Sequence, residues 1–152
     1  MVRKLKLTGE PIRVDAELAR LPAVFARYTD LAAAFLHGSY GTSDQTPLSD
    51  VDLALVYRPG RLPTLDEELR LIGDVEDTLG IEDVSITVLN RAPLPFQFRV
   101  VANGRLLYCA DAIALADFQE RVCKLYGDFV IDYERFLAEY DQALLEAYGD
   151  ER

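Results

Sequence analysis

Two aspartates, Asp50 and Asp52, stand two positions apart at the start of an apolar run that continues to Tyr57. Side chains alternate between the two faces of a β-strand, so both carboxylates are expected on one face of a strand over 51–57. Neighbouring carboxylates repel each other unless a cation neutralises them, and oxygen-only ligands suit Mg²⁺. The pair therefore predicts a divalent metal site where this strand begins.

A Gly-Ser turn lies upstream of the aspartates. Gly38 and Ser39 follow the apolar run 31–36, which predicts a first core strand, and ten residues separate Ser39 from Asp50. If the two strands pair, the turn lies beside the carboxylates. Backbone N–H groups that are free at such a turn can hold a phosphate. A phosphate cradle next to metal-binding carboxylates indicates nucleotide chemistry.

These two strands belong to a chain in which strands alternate with helices, which predicts a small α/β (α+β) sheet flanked by helices. A helix is predicted from Asp15 to about Tyr28, and Pro22 within it favours a kink or a late start. A second helix is capped by Thr64 or Asp66 and ends near Leu79. The remaining predicted elements are a strand over 83–89, a helix over 93–103, a strand over 105–109, and a helical segment from Asp111 to about Tyr148 that could bend or divide at Gly127. We expect a single domain, with a core over 1–110 and a helical C-terminal extension over 111–152 packed on it.

Composition narrows the class of protein. The chain has 152 residues, half of them apolar, and a formal net charge of -10. This length supports one domain with a real core. The acidic balance argues against direct binding of nucleic acid along a broad basic surface, and it favours a small-molecule substrate or a basic protein partner.

The two cysteines, Cys109 and Cys123, lack metal-ligand spacing and are expected to be buried free thiols in a reducing compartment. No apolar segment follows the basic residues at the N-terminus, so no signal peptide is predicted. No apolar run approaches the length of a membrane span. The expected location is the cytoplasm, without membrane association.

The segment HGSYGTSDQTPLSDVDLAL over 37–55 resembles the active-site motif of nucleotidyltransferases with a DNA-polymerase-β-like fold. The small size of the chain is similar to that of the minimal nucleotidyltransferases, abbreviated MNT. The downstream segment VLNRAPLPFQFRVVANGRLLYCAD over 88–111, and Tyr126-Gly127-Asp128-Phe129 in the last helix, resemble more specifically the MntA-type antitoxins that are encoded beside HEPN toxins.

The resemblance implies a mixed sheet of the polymerase-β type and assigns roles to the motif residues. Gly38 and Ser39, with Ser49, would bind the nucleotide, and Asp50 and Asp52 would be catalytic ligands of two Mg²⁺ ions. ATP would be the substrate.

A third carboxylate on the neighbouring strand completes the metal site in the family, and here the sequence departs from the pattern. The position that should be acidic aligns with Ser85. Asp83 lies two residues earlier on the same strand face and could supply the carboxylate. It could equally be a strand-entry residue in an acidic loop with Glu82.

A second departure follows the Gly-Ser turn, where family members often carry a basic residue. This chain has Gly41-Thr42-Ser43 instead, so a cation near the phosphates would have to come from elsewhere. Three arginines are candidates: Arg58, Arg91 and Arg99. His37, the single histidine, is expected to be a packed or hydrogen-bonded side chain and not a catalytic base.

By resemblance, the protein would transfer AMP from ATP to a hydroxyl, that of a tyrosine on a cognate HEPN ribonuclease toxin, and so act as an antitoxin. The alternative is a binding module that keeps a weakened nucleotide pocket and neutralises the toxin by forming a complex. A third hypothesis keeps the chemistry but uses a small-molecule acceptor, for which the chain looks too short unless it forms a homo-oligomer. The Tyr and Phe residues along 118–140 favour core packing. Tyr126, Tyr133, Tyr140 and Tyr148 give this helix more aromatic surface than a compact domain needs, so part of the stripe is available to dock a partner.

Overall fold

A computed structural model describes residues 10–149. Residues 1–9 of the predicted core and residues 150–152 of the predicted C-terminal extension lie outside that range. The helices and strands are α1 (Asp15–Leu18), α2 (Leu21–Phe25), β1 (Leu31–His37), β2 (Val51–Tyr57), α3 (Leu65–Leu79), β3 (Val84–Val88), a single 3-10 turn (Leu89–Arg91), α4 (Leu94–Asn103), β4 (Arg105–Cys109) and α5 (Ala112–Tyr148). The strands form one four-stranded mixed sheet in the order β3-β2-β1-β4.

The sheet has its two most apolar strands in the middle. β1 pairs antiparallel with both β2 and β4, whereas β2 and β3 run parallel. Every residue of β1 except His37, and every residue of β2 except Asp52, is buried. Strands covered on both faces are expected to be almost continuously apolar. His37 and Asp52 interrupt this pattern, and they identify the part of the sheet where a functional site is expected. The predicted α/β (α+β) fold with a mixed sheet is confirmed.

The two sheet faces are covered by different helices. On one face, odd-numbered β2 residues such as Leu53 and Leu55 pack into a cluster with residues of α1, α2 and α3. On the other face, Ala54 and Val56 pack with α4 and the start of α5, including Leu115 and Phe118. Asp52 shares the alternation of Ala54 and Val56. The site therefore lies on the α4–α5 side of the sheet.

The helix predicted from Asp15 to about Tyr28 is two short helices. α1 ends at Leu18, and α2 begins at Leu21 with Pro22 in its first turn. Proline is tolerated there because the first helical N–H groups have no partner within the helix, whereas inside a longer helix it would remove a hydrogen bond. Helical structure thus begins at Asp15 as predicted, is interrupted before Pro22, and ends at Phe25 and not at Tyr28.

Helix α3 connects the parallel strands β2 and β3, and its ends follow from local chemistry. Thr64, not Asp66, is the N-cap, and it forms a capping box with Glu67. Gly80 ends the helix in the left-handed conformation with φ of 69°. Buried Leu71, Val75 and Leu79 fix the helix on the sheet.

Helix α5 is a single helix of 37 residues that continues through Gly127. Its buried residues, Leu115, Phe118 and Val122, all lie in the first third. Phe98 of α4 stacks on Tyr126 with ring centroids 3.9 Å apart. From residue 131 to residue 149, every side chain is exposed.

Both cysteines are free thiols, but the prediction that they are buried is wrong, since Cys109 and Cys123 are exposed. Cys109 is the last residue of β4, an edge strand, and Cys123 lies next to buried Val122 but points away from the core. An apolar sequence neighbourhood does not fix which face of an edge strand or helix a residue occupies. Among residues 10–149, no helix is both long and apolar enough to span a membrane.

Candidate functional site

The site begins where β1 ends and β2 starts. In the antiparallel pairing, His37 is opposite Asp52, so Gly38 follows directly beside the aspartate. Gly38 has φ of 75°, and a Cβ on this residue would clash with a carboxylate oxygen of Asp52 and lie 3.1 Å from its carboxyl carbon. Glycine is required twice here, by the backbone conformation and by the close approach of the carboxylate. The Gly-Ser turn and Asp52 are therefore neighbours, as the sequence predicts.

Ser39 and Ser49, both predicted to bind the nucleotide, are brought together across the connecting loop. The Ser39 hydroxyl donates to Oγ of Ser49 at 2.8 Å, and the backbone N–H of Thr46 donates to the same Ser49 oxygen at 2.9 Å. The loop thus closes at its base, next to Asp50 and Asp52. The Gly-Ser turn leads into further turns and not into a helix.

Polar contacts that the sequence does not predict tie the loop to the first residue of α1 and to the residues just before it. The phenol of Tyr40 donates to Asp15 Oδ1 at 2.8 Å and accepts from the backbone N–H of Val14 at 2.8 Å. Burial raises the pKa of this phenol, and its bond to Asp15 acts in the same direction. Gln45 donates to the carbonyl of Ile12 at 2.8 Å. No sequence spacing links these residues, so the tie could not be inferred beforehand.

The parallel pairing of β2 with β3 fixes the neighbours of Asp52. Asp52 is level with Ser85, and Val51 is level with Val84. Val84 and Ile86 pack with the cluster on the α3 side, so alternation places Ser85 on the same face as Asp52. The strand neighbour of Asp52 is therefore a hydroxyl and not a carboxylate.

Asp83 immediately precedes β3, and its carbonyl accepts a hydrogen bond from the backbone N–H of Val51 at 2.9 Å. Continuing the parallel pairing by one residue puts Asp83 level with Asp50. Asp50, Asp52 and Asp83 all make interactions with other groups of the protein. The role of Asp83 as a third metal ligand stays a prediction.

The aspartates of β2 and the residues beside them on the neighbouring strand offer oxygen donors: the carboxylates of Asp50 and Asp52, the Ser85 hydroxyl and, two residues before Ser85, the carboxylate of Asp83. Hard ligands of this kind fit Mg²⁺ better than a softer transition metal. Among residues 10–149, no group of three or more His, Cys, Asp and Glu side chains is gathered as a metal site. The donor chemistry fits a magnesium site that rests on the aspartate pair.

His37 is packed, as the sequence predicts. Its ring meets Phe96 edge-on, with centroids 5.3 Å apart. Nε2 is buried and has no hydrogen-bond partner within the described part of the chain. Burial lowers the pKa of His37 and Arg99 acts in the same direction, whereas Asp52 opposes the shift. A neutral imidazole therefore lies beside the aspartate at neutral pH.

A cleft of about 650 Å³ opens beside the Gly-Ser turn. Its lining includes Gly38 and Thr42 from the loop, and three arginines, Arg13, Arg99 and Arg105. This volume is in the range of small-molecule sites. Of the three arginines considered for the phosphates, only Arg99 lines this cleft.

The other two candidates have partners elsewhere. Arg58 Nε lies 3.7 Å from Asp111 Oδ2. Arg91 lies 3.1 Å from Glu68 Oε1 and donates to the carbonyl of Pro63 at 2.7 Å. Arg58 directly follows β2, and Arg91 ends the turn after β3. Both therefore lie at the opposite end of these strands from Asp52.

Residues 20–113 match the model of the polymerase beta nucleotidyltransferase family. The match covers more than half of the chain, so the protein belongs to this family. A comparison with curated protein sequences gives no match.

Solved structures with the same fold come from toxin–antitoxin complexes. A chain of a toxin–antitoxin structure with AMP-PNP is 18% identical with a TM-score of 0.63, over 82% of this chain and 97% of that chain. A chain of the tri-AMPylated Shewanella oneidensis HEPN toxin in complex with an MNT antitoxin is 16% identical with a TM-score of 0.63, over 84% and 98%. A chain of an MntA–HepT complex is 15% identical with a TM-score of 0.61, over 82% and 97%. At these identities the likeness shows the fold, which is that expected for an MNT antitoxin.

Proposed function

We propose that this protein is an Mg²⁺-dependent nucleotidyltransferase that moves AMP from ATP to a tyrosine hydroxyl of a cognate HEPN ribonuclease toxin and thereby acts as its antitoxin. The observation that carries the proposal is the close approach of Asp52 to Gly38, which lines the cleft. A turn suited to a phosphate and a metal-binding carboxylate lie side by side in a family of nucleotidyltransferases. We expect the reaction to occur in the cytoplasm.

In the proposed reaction, the acceptor oxygen forms a bond to the α-phosphorus of ATP. The bond from that phosphorus to the oxygen bridging the α- and β-phosphates breaks, pyrophosphate leaves, and the hydroxyl proton passes to solvent. Magnesium ions held by Asp50 and Asp52 would offset the negative charge on the attacking and leaving oxygens. The Gly38-Ser39 turn, fixed through Ser49, would hold the phosphates in line.

A macromolecular acceptor is supported by the exposed half of α5. Six aromatic or leucine side chains that recur along one side of this half are between 40 and 59% exposed: Phe129, Tyr133, Phe136, Leu137, Tyr140 and Leu144. Between residues 126 and 149 the helix carries six carboxylates and one arginine. Two copies of such an acidic helix would repel each other, so the partner that fits is a helical surface with an apolar face flanked by lysine or arginine.

The test is to incubate the protein with ATP, Mg²⁺ and a HEPN toxin encoded in a neighbouring reading frame, and to measure the mass of the toxin. We expect the toxin to gain the mass of one or more AMP groups and to lose ribonuclease activity. Asp50→Ala and Asp52→Ala should each reduce the transfer rate at least about a hundredfold, because neither leaves a complete metal site. A toxin that stays unmodified with the wild-type protein would rule out the transferase.

A second function, neutralisation by binding alone, is favoured by the pairing of Asp52 with Ser85 where the family has an acid. In that case Asp52→Ala would leave the toxin neutralised in a stable complex. The same experiment separates the two functions, because only the transferase changes the mass of the toxin.

A further inference from the structure

The cleft beside Gly38 is lined by arginines from three separate segments of the chain. Arg13 precedes α1, Arg99 lies on α4, and Arg105 is the first residue of β4. In β4, Arg105 is level with Leu36 of β1, two residues before Gly38. The fold therefore gathers three positive charges around one opening, although the chain as a whole carries a net charge of -10.

No ion pair between residues 10 and 149 involves any of these three guanidinium groups. Within the described residues, the arginines that form ion pairs are Arg20, Arg27, Arg58 and Arg91. Asp15 also lines the cleft, and its carboxylate accepts the hydrogen bond from Tyr40. Three guanidinium groups against one carboxylate leave the lining with a net positive charge, which fits a multivalent anion.

The position of Arg99 relates this anion site to the aspartates. Its guanidinium carbon lies 5.9 Å from the centre of the Phe96 ring, and Phe96 in turn packs edge-on against His37, the strand partner of Asp52. Burial is the main cause of the lowered pKa of His37, and the charge of Arg99 acts in the same direction. A guanidinium held over an aromatic ring loses less freedom when it binds a phosphate.

We propose that Arg99, with Arg105 and Arg13, binds the β- and γ-phosphates of the nucleoside triphosphate and so replaces the basic residue that the sequence lacks after Gly38-Ser39. The proposal rests on the proposed function for the identity of the ligand, and it adds the residues that bind the polyphosphate. Because the planar guanidinium forms paired hydrogen bonds with phosphate oxygens, Arg99→Lys should restore only part of the affinity that Arg99→Gln loses.

The test uses inorganic tripolyphosphate, which has neither base nor sugar, titrated calorimetrically into the full-length protein. EDTA is present throughout, so that metal at Asp50 and Asp52 plays no part. We expect the wild-type protein to bind, and Arg99→Gln and Arg105→Gln each to weaken binding about tenfold or more. Arg61→Gln is the matched control, because Arg61 is exposed and lies outside the cleft, and the substitution removes the same positive charge. It should change the affinity less than twofold.

Thermal melting of each variant shows whether it is folded. Arg61, Arg99 and Arg105 are all exposed, so none of these substitutions should alter the melting temperature appreciably. If Arg99→Gln and Arg105→Gln bind tripolyphosphate as Arg61→Gln does, or if the wild-type protein does not bind it, the proposal is wrong. AMP transfer by these variants is measured separately. Binding that depends on Arg99 without any transfer would overturn the transferase and leave the arginine site in place.

Discussion

Gly38 links the conformation of the turn to the position of the Asp52 carboxylate. Its φ of 75° is one that other residues avoid, and its α-carbon leaves room for Asp52 that a methyl group would fill. Gly41, three residues later, has nearly the same φ of 73°, but nothing lies within 4 Å of a Cβ built there. A substitution at Gly41 therefore disturbs only the backbone conformation, whereas a substitution at Gly38 disturbs the backbone conformation and also crowds Asp52.

Alanine at these two positions should therefore give different results. Gly41→Ala should lower the free energy of unfolding by about 1 kcal/mol, the usual cost of a left-handed conformation, and leave AMP transfer nearly intact. Gly38→Ala pays the same backbone cost and also forces the Asp52 carboxylate to rotate away. A misplacement of about 1 Å can reduce a rate about a hundredfold, so we expect transfer to fall by at least that much. Urea unfolding and the rate of AMP transfer measure the two effects, and equal transfer rates in the two variants would contradict the role of Gly38.

The end of β2 is completed by a side chain from the turn that follows β3. Asn90 accepts from the backbone N–H of Tyr57 at 2.9 Å and donates to the carbonyl of the same residue at 3.1 Å. β3 ends at Val88, level with Leu55, so Asn90 supplies for Tyr57 the two bonds that a longer strand would have made. Tyr57 is buried, and backbone groups left without partners there would be costly.

We expect Asn90→Ala to lower the free energy of unfolding by about 1–3 kcal/mol, because it leaves both backbone groups of Tyr57 without partners. Asn90→Asp keeps the acceptor for the N–H and loses the donor, so it should retain part of this stability. Urea unfolding measures both changes, and amide hydrogen exchange at Tyr57 should quicken most in the alanine variant. If Asn90→Ala is as stable as wild type, the side chain does not complete the strand.

The elements of this fold follow closely from the sequence, since each has a strong local cause. β1, β2 and β4 come from short apolar runs between turn residues, and α3 from the cap at Thr64 and the glycine at its end. The contact of the Gly-Ser turn with Asp52 was also predictable, because consecutive strands usually pair.

Long-range relations were not predictable in the same way. The sequence offered Arg58, Arg91 and Arg99 equally, and only the fold shows that the first two have carboxylate partners. The tie from Tyr40 to Asp15 and the gathering of Arg13 and Arg105 likewise depend on pairings between distant segments. Such contacts leave no periodic pattern in the sequence.

At the scale of the molecule, the second half of α5 extends well beyond the buried core. The core ends at Val122, whereas α5 continues to Tyr148, which is about 40 Å further at 1.5 Å per residue. An exposed helix of this length with a row of aromatic side chains is costly to keep in water unless a partner covers it. Its acidic flanks would speed association with the basic partner proposed above and make the rate sensitive to salt.

Substitution on this helix should therefore separate partner binding from nucleotide chemistry. The rings of Phe136 and Tyr140 stack with centroids 6.3 Å apart on the aromatic side, and they are 59% and 54% exposed. Phe136→Ser with Tyr140→Ser should weaken toxin binding at least about a hundredfold, since central aromatic residues dominate interface energies, and leave tripolyphosphate binding unchanged. Arg135→Ser with Gln142→Ser, on the opposite side of the same helix, is the matched control and should bind the toxin normally. Surface plasmon resonance with immobilised toxin measures the affinities, and normal binding by the Phe136 and Tyr140 variant would place the toxin interface elsewhere on the molecule.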